Sequence, residues 1–247
     1  MGRRIVGVST VPDRIVFEGV SPRRFAESLR GRRVVGVRRR GKHLWIELDQ
    51  RPWPLFHFGM TGSFALYGDG EARPRFWKAE LRAEGGRRLA LADSRRFGRV
   101  RLQRDPQREK PIAALGPDVL DELPSARAIA AILGRRAAPT KAVLLDQSLF
   151  AGVGNWIADE VLYQAGLDPR RPASSLSAAE VGRLRARLRV VVRRAVSVDA
   201  DADRFPRTWL FHHRWGRDKD ARTARGERIV HLTVGGRTTA WVPARQR

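Results

Sequence analysis

The first hundred residues alternate short β-branched and aromatic runs with glycine and proline, a pattern that predicts a sheet-rich region. Strands are predicted at residues 5–8, 14–17, 34–40, 44–48, 63–67, 76–81, 88–91 and 99–102. Gly41 and Lys42 form a predicted hairpin turn, and Pro52 and Pro54 are expected to end the strand at 44–48. One helix is predicted near residues 22–29. Many short strands at regular spacing favour a β-sandwich or a barrel.

A proline-rich stretch, residues 105–117, precedes a region whose apolar residues recur with helical spacing. Helices are predicted at residues 118–123 and 125–133, from a cap at Thr140 to Gln147, at residues 155–165 before Gly166, and from residue 178 onward. Ser177 and Glu180 have the spacing of a capping box for the last helix. Its apolar stripe consists of Val181, Leu184, Leu188, Val191 and Ala195.

The end of the chain returns to a strand pattern. Residues 228–233 and 238–242 flank Gly235 and Gly236, which predicts a β-hairpin. Because an isolated hairpin is only marginally stable, we expect this one to lie on the helices or on a ligand.

Composition narrows the class of partner. Lys and Arg number 49 and Asp and Glu 26, so the formal charge is +23, while 42% of the residues are hydrophobic, enough for a packed core and too many for a disordered basic tail. Phosphates release counterions to Lys and Arg, so nucleic acid is the first partner to consider. An arginine-rich proteome would explain the preference for arginine over lysine but not the excess of cations over carboxylates.

The absence of cysteine excludes disulfides, a thiol nucleophile and a cysteine zinc site. The histidines, which are His43, His57, His212, His213 and His231, are scattered, so neither a metal nor a cofactor is expected. No apolar run reaches the length of a membrane span, and the N-terminus lacks the pattern of a signal peptide. We therefore expect an intracellular protein with no membrane partner.

Several turns carry candidate chemistry, and each has an ordinary structural alternative. The turn at residues 152–155 leads into a helix N-terminus suited to a phosphate, unless Asn155 is simply its N-cap. Met60 lies between glycines, and Arg95 and Phe97 lie in a loop between strands, where they would enter a base stack. Taken singly, burial of Met60 and Phe97 in the core is the commoner arrangement.

Two cations are further candidates. Lys42 would contact phosphate or act as an amine, although a solvated hairpin lysine is the commoner case. Arg237 follows the double glycine of the terminal hairpin, where it would reach into a groove or lie among other surface arginines.

The order of these motifs resembles the formamidopyrimidine-DNA glycosylase/endonuclease VIII family over essentially the whole chain. The motifs are His-Phe-Gly-Met-Thr-Gly at 57–62, Asp-Ser-Arg-Arg-Phe-Gly at 93–98, Leu-Gly-Pro-Asp at 115–118, Gly-Val-Gly-Asn-Trp-Ile-Ala-Asp-Glu-Val-Leu at 152–162 and Gly-Gly-Arg-Thr-Thr at 235–239. The chain looks closest to the plant and fungal type with a zincless finger. This resemblance implies an α+β multidomain fold with a β-sandwich at 1–106, a helix–two-turn–helix domain at 107–204 and a zincless-finger β-hairpin at 205–247.

The resemblance also implies base-excision repair. Family members bind double-stranded DNA at an oxidised base or an abasic site, flip the damaged nucleotide out, remove the base and nick the strand through Schiff-base β,δ-elimination. The resemblance assigns filling of the vacated space to Met60, Arg95 and Phe97, and contacts with DNA phosphates to Lys42, Asn155 and Arg237. It implies a monomer that works on DNA without a metal or cofactor.

One departure concerns the nucleophile. The family begins Met-Pro-Glu-Leu-Pro-Glu-Val-Glu, and its N-terminal proline amine attacks C1′, whereas here residues 2–5 align with the segment after the family's N-terminal helix. We expect an upstream Pro-Glu in the full protein. The alternatives are a non-catalytic DNA-binding relative and a substitute amine, either that of Gly2 or that of Lys42. A structural RNA-binding protein is a further alternative from a different class.

Overall fold

The computed structural model describes residues 2–216 and 218–247. The chain divides into two compact units, residues 1–114 and 115–247. The second unit contains both the helices and the terminal hairpin. The domain boundaries at 106 and 204 stay a prediction.

The first unit is built from two four-stranded antiparallel sheets and one helix. Its elements are β1 (Ile5–Thr10), α1 (Pro22–Leu29), β2 (Val34–Arg40), β3 (His43–Leu48), β4 (Trp53–His57), β5 (Ser63–Tyr67), β6 (Trp77–Ala83), β7 (Arg88–Ala92) and β8 (Arg99–Gln103). The sheet orders are β1-β6-β7-β5 and β2-β3-β4-β8. Buried side chains from both sheets and from α1, among them Leu81, Phe56 and Phe25, form one core. The predicted β-sandwich is confirmed.

One strand prediction in this unit is wrong, and one strand was not predicted. Residues 14–16 form a turn instead of a strand, because the Asp13 carboxylate accepts the main-chain N–H groups of Ile15 and Val16, and Phe17 makes an isolated bridge to Val100. β3 ends at Leu48, before the two prolines, as predicted, but β4, which contains Pro54, was not predicted. Pairing between β3 and β4 stops at Leu55, so Pro54 lies beside β8 only, where a missing N–H costs no bond to β3.

The second unit packs helices around an apolar core and adds a hairpin. Its elements are α2 (Ala126–Gly134), α3 (Thr140–Leu145), α4 (Asn155–Ala165), α5 (Ala178–Ser197), β9 (Val230–Val234) and β10 (Arg237–Trp241). The capping box at Ser177 and the buried stripe of α5 are confirmed, and Gly166, with a φ of 71°, ends α4 as predicted. The hairpin lies on the helices, since Ala240 packs beside Tyr163 of α4. No helix of the described residues is long and apolar enough to cross a membrane.

Two helix predictions in this unit are corrected. The predicted helix at 118–123 is absent from the structure: residues 119–121 form a turn, held by the Asp118 carboxylate, which accepts the Leu120 N–H at 2.9 Å. Thr140 is not a cap: Pro139 takes that position, and the Thr140 hydroxyl donates to the Arg171 carbonyl at 2.8 Å. The partner of Thr140 is therefore distant in sequence, which a local pattern does not reveal.

Candidate nucleic-acid interface

Two turns of the first unit are in direct contact, the β4–β5 turn at residues 58–62 and the β7–β8 loop at residues 93–98. Gly59 has a φ of +63°, and a Cβ atom there would lie 2.5 Å from the carbonyl carbon of Phe97. Only glycine satisfies both the left-handed backbone and this close approach. The contact places Met60, the next residue, beside the loop that carries Phe97.

The carboxylate of Asp93 holds the two turns together. Asp93 is 1% exposed and accepts hydrogen bonds from the Thr61 hydroxyl at 2.5 Å, from the Gly98 N–H at 2.7 Å and from the Arg95 N–H at 3.2 Å. Burial by itself would raise the pKa of the Asp93 carboxyl, but these donors outweigh it and lower that pKa. The Asp93 carboxylate, which we call the Asp93 clamp, is therefore ionised at neutral pH.

The clamped turns present apolar side chains to solvent. Met60 is 75% exposed and Phe97 is 42% exposed, so neither lies in the core as the commoner arrangement would have it. The guanidinium of Arg95 lies 4.7 Å from the centroid of the Phe97 ring, a cation–π contact. The structure thus brings Met60, Arg95 and Phe97 together at one tip.

The neighbouring Arg96 takes a different role. It has a φ of +58°, and its guanidinium binds the Asp13 carboxylate through two bonds of 2.9 and 3.0 Å. Burial would raise the pKa of Asp13, but Arg96, Lys78 and two main-chain N–H groups lower it to about 2. Arg96 therefore fixes the loop, and Arg95 is the arginine presented at the tip.

Lys42 lies on the β2–β3 turn beside a pair of histidines that the sequence reasoning did not single out. The rings of His43 and His57 are cross-strand neighbours with centroids 4.8 Å apart. Burial lowers the pKa of His57, and the charge of Lys42 lowers it further. Nδ1 of His57 accepts the Gly59 N–H at 3.1 Å, which leaves Nε2 as the N–H donor. The sequence signal that could have identified His57 is its position as the first residue of the motif at 57–62.

The N-terminus of α4 is a candidate anion site of the second unit. Gly154 is the N-cap and makes no side-chain cap bond in the described structure, and Asn155 is the first helical residue. Asn155 is therefore not the cap; its Nδ2 atom donates to the Thr238 carbonyl at 2.8 Å. The first N–H groups of a helix and its dipole favour an anion at this end.

The tip of the terminal hairpin packs against α3. Gly235 has a φ of +57°, and a Cβ atom there would lie 2.9 Å from the Cβ atom of Ala142. Arg237 follows two residues later and is exposed. Asn155 binds the carbonyl of Thr238, the residue after Arg237, so the start of α4 lies against the strand that carries Arg237.

Two models of protein families match the chain. The formamidopyrimidine-DNA glycosylase N-terminal domain matches residues 1–100, and the formamidopyrimidine-DNA glycosylase H2TH domain matches residues 115–206. Together they account for most of the chain.

Individual proteins agree with these matches. A formamidopyrimidine-DNA glycosylase of Arabidopsis thaliana is 40% identical over 100% of this chain and 66% of its own length, so the chain spans about two thirds of that relative. One of Herpetosiphon aurantiacus is 34% identical over 96% of this chain and 83% of its own. The structure of Lactococcus lactis formamidopyrimidine-DNA glycosylase bound non-covalently to DNA with an AP site has a TM-score of 0.84 at 22% identity, covering 100% of this chain and 93% of that one. This last likeness shows the fold.

Proposed function

We propose, because the chain belongs to the formamidopyrimidine-DNA glycosylase family, that it acts in base-excision repair by binding duplex DNA at an oxidised base or an abasic site. The observation that carries the proposal is the clamped tip, where Met60, Arg95 and Phe97 are held together and exposed. An RNA scaffold protein has no need of a rigid apolar tip with one arginine. We expect the protein to act as a monomer.

The tip suits a duplex from which one base is missing or flipped out. Met60 and Phe97 supply apolar surface that replaces lost base stacking, and Arg95 supplies donors for the base left unpaired on the opposite strand. Unstacking costs a few kcal/mol and costs least at a damaged or abasic position. The tip therefore favours damaged over intact duplex.

Contacts with the DNA backbone supply the remaining affinity. In the second unit the start of α4, with Asn155, and the exposed Arg237 make a phosphate site. In the first unit Lys42 and the Nε2 donor of His57 make another. Such contacts position the protein without reading sequence.

Base removal and strand cleavage in this proposal require an amine that attacks C1′. At an abasic site the amine adds to the C1′ aldehyde and water leaves, which gives a Schiff base that borohydride reduces to a stable amine. Among the described residues Lys42 is a better candidate than Gly2. The Gly2 N–H donates to Val34 at one end of β2, roughly 25 Å of strand from the β2–β3 turn that carries Lys42.

Borohydride trapping on a duplex with one abasic site tests that step. An adduct mapped to Lys42 and lost in Lys42→Gln identifies this lysine as the nucleophile of the chain. Binding without an adduct assigns the chain the recognition step and no covalent step.

Competition binding tests the recognition step. The probes are a duplex with one abasic site, the same duplex intact, and an RNA duplex of the same sequence. We expect the wild-type chain to prefer the abasic duplex at least tenfold. Met60→Ala and Phe97→Ala should each reduce this preference. Leu66→Ala is the matched control, since Leu66 is 69% exposed on β5 away from the tip. Equal affinity for the three probes contradicts the proposal.

A further inference from the structure

A buried ionic cluster connects three parts of the second unit. Lys141 of α3, Asp159 of α4 and Arg214, in the segment before the hairpin, are 0%, 1% and 7% exposed. Nζ of Lys141 lies 2.7 Å from Oδ1 of Asp159, and a terminal nitrogen of Arg214 lies 2.6 Å from Oδ2. One carboxylate thus binds two cations from separate parts of the chain.

The same cluster binds the main chain of β10 directly after Arg237. Nζ of Lys141 donates to the Thr238 carbonyl at 3.0 Å and to the Thr239 hydroxyl at 2.7 Å. The Ala240 N–H donates to Oδ2 of Asp159 at 3.1 Å. The three residues that follow Arg237 are therefore all fixed by the cluster.

Arg214 links the cluster to the other strand of the hairpin as well. Its carbonyl oxygen lies 3.1 Å from Nε2 of His231, on β9. β10 is therefore bound to α3 and α4, and β9 is bound to the segment that carries Arg214. In a chain with no cysteine, these contacts supply fixed cross-links for this segment.

Two cations share one carboxylate in the cluster, since Lys141 and Arg214 both pair with Asp159. The buried carboxyl of Glu160, whose pKa burial raises to about 7, also interacts with Arg214 and Asp159. Burial lowers the pKa of Lys141, Asp159 raises it, and the charges of Arg214 and Arg237 lower it, so Arg237 lies within electrostatic range. Buried ion pairs add little net stability compared with apolar packing, and their best-attested use is to specify one arrangement.

We propose that Lys141, Asp159 and Arg214 form a positioning cluster that holds Arg237 where it contacts a phosphate of bound DNA. The proposal rests on the function proposed above. None of the three side chains touches DNA itself, because all three are buried. Lys141 and Asp159 act through their bonds to β10, and Arg214 acts through its ion pair with Asp159.

A double-mutant cycle between Arg214 and Arg237 tests this role. Arg214→Met, Arg237→Met and the double variant are compared for binding to an abasic duplex over a range of salt concentrations. We expect both single variants to bind about tenfold or more weakly and the double variant to bind no more weakly than Arg237→Met. The slope of log affinity against log salt is negative and becomes less negative by about 1 in each variant, because one phosphate contact is lost. A variant that was merely less stable would bind with an unchanged slope.

Two control variants distinguish a positioning effect from the loss of a surface charge and from a failure to fold. Arg225→Met removes an exposed arginine close to the hairpin and should change neither the affinity more than about twofold nor the slope. If Arg214→Met does not fold, Asp159→Asn takes its place, since it breaks both ion pairs and keeps the shape of the side chain. It should show the same change of slope with native circular dichroism.

Two results overturn the inference. One is that the losses in Arg214→Met and Arg237→Met multiply in the double variant; the other is that Arg214→Met binds like the wild type while Arg237→Met does not. Failure of the proposed function looks different, because the wild-type chain would then show no preference for the abasic duplex.

Discussion

The contact between the two turns of the first unit predicts a specific difference between two glycine substitutions. Gly59 and Gly19 have φ values of +63° and +71°, so alanine at either position meets the same left-handed backbone strain. At Gly19 nothing lies within 4 Å of the added Cβ, whereas at Gly59 the Cβ meets the Phe97 main chain at 2.5 Å. Comparing Gly59→Ala with Gly19→Ala therefore separates the cost of the left-handed backbone from the cost of the contact with Phe97.

The magnitudes follow from these distances. Left-handed backbone costs an alanine roughly 1–2 kcal/mol, and we expect this loss alone for Gly19→Ala. In Gly59→Ala the Phe97 main chain must also move by about 0.9 Å to reach an ordinary contact distance of 3.4 Å. Comparable overpacking costs about 1–3 kcal/mol, so the total loss is about 2–5 kcal/mol. The movement pulls the Phe97 loop away from the Asp93 clamp.

Urea unfolding and competition binding measure the two consequences. We expect Gly19→Ala to keep the preference for abasic over intact duplex, and Gly59→Ala to lose about tenfold of it under conditions in which both variants are folded. The reasoning is refuted if Gly59→Ala has the stability of Gly19→Ala and an unchanged preference.

Three further predictions concern charge and the DNA backbone. The pKa of Asp13 is lowered to about 2, so its pairing with Arg96 stabilises the fold above pH 4 and is lost as the pH falls toward 2. In urea unfolding, the free energy of unfolding of Arg96→Gln should be about 1–2 kcal/mol below that of the wild type at pH 6. This difference should shrink by pH 2. Burial raises the pKa of Glu160 from 4.5 to about 7, so the wild type loses stability as the pH rises from about 4.5 to about 7, and the thermal stability of Glu160→Gln relative to the wild type should increase over that range and level off above it. Asn155→Ala should lower the free energy of unfolding by about 1 kcal/mol, because the bond of Asn155 to the hairpin is lost. It should weaken binding to the abasic and the intact duplex by the same factor, whereas Phe97→Ala should weaken binding to the abasic duplex alone.

Local signals were sufficient for most of the regular elements. The capping box at Ser177 and the glycine at Gly166 set the ends of α5 and α4, because both act within a few residues. The strand around Pro54 was missed because proline is usually excluded from strands, and its tolerance here depends on where pairing with β3 ends.

The candidate site was predictable as a set of residues but not as an arrangement. Motif order identified Met60, Phe97 and Arg237. It did not reveal Asp93 as the clamp or Asp159 as the centre of the buried cluster, because their partners lie far away in sequence. Such contacts arise only when separate elements pack.

Insertion of the tip into damaged DNA is the central claim, and 2-aminopurine fluorescence tests it most directly. The fluorescent base is placed next to the base opposite one abasic site, where a wedge unstacks it and raises its emission. We predict a rise on binding of the wild-type chain and binding without that rise for Phe97→Ala. Tight binding of the wild-type chain with no change in emission would contradict the claim that Phe97 enters the base stack.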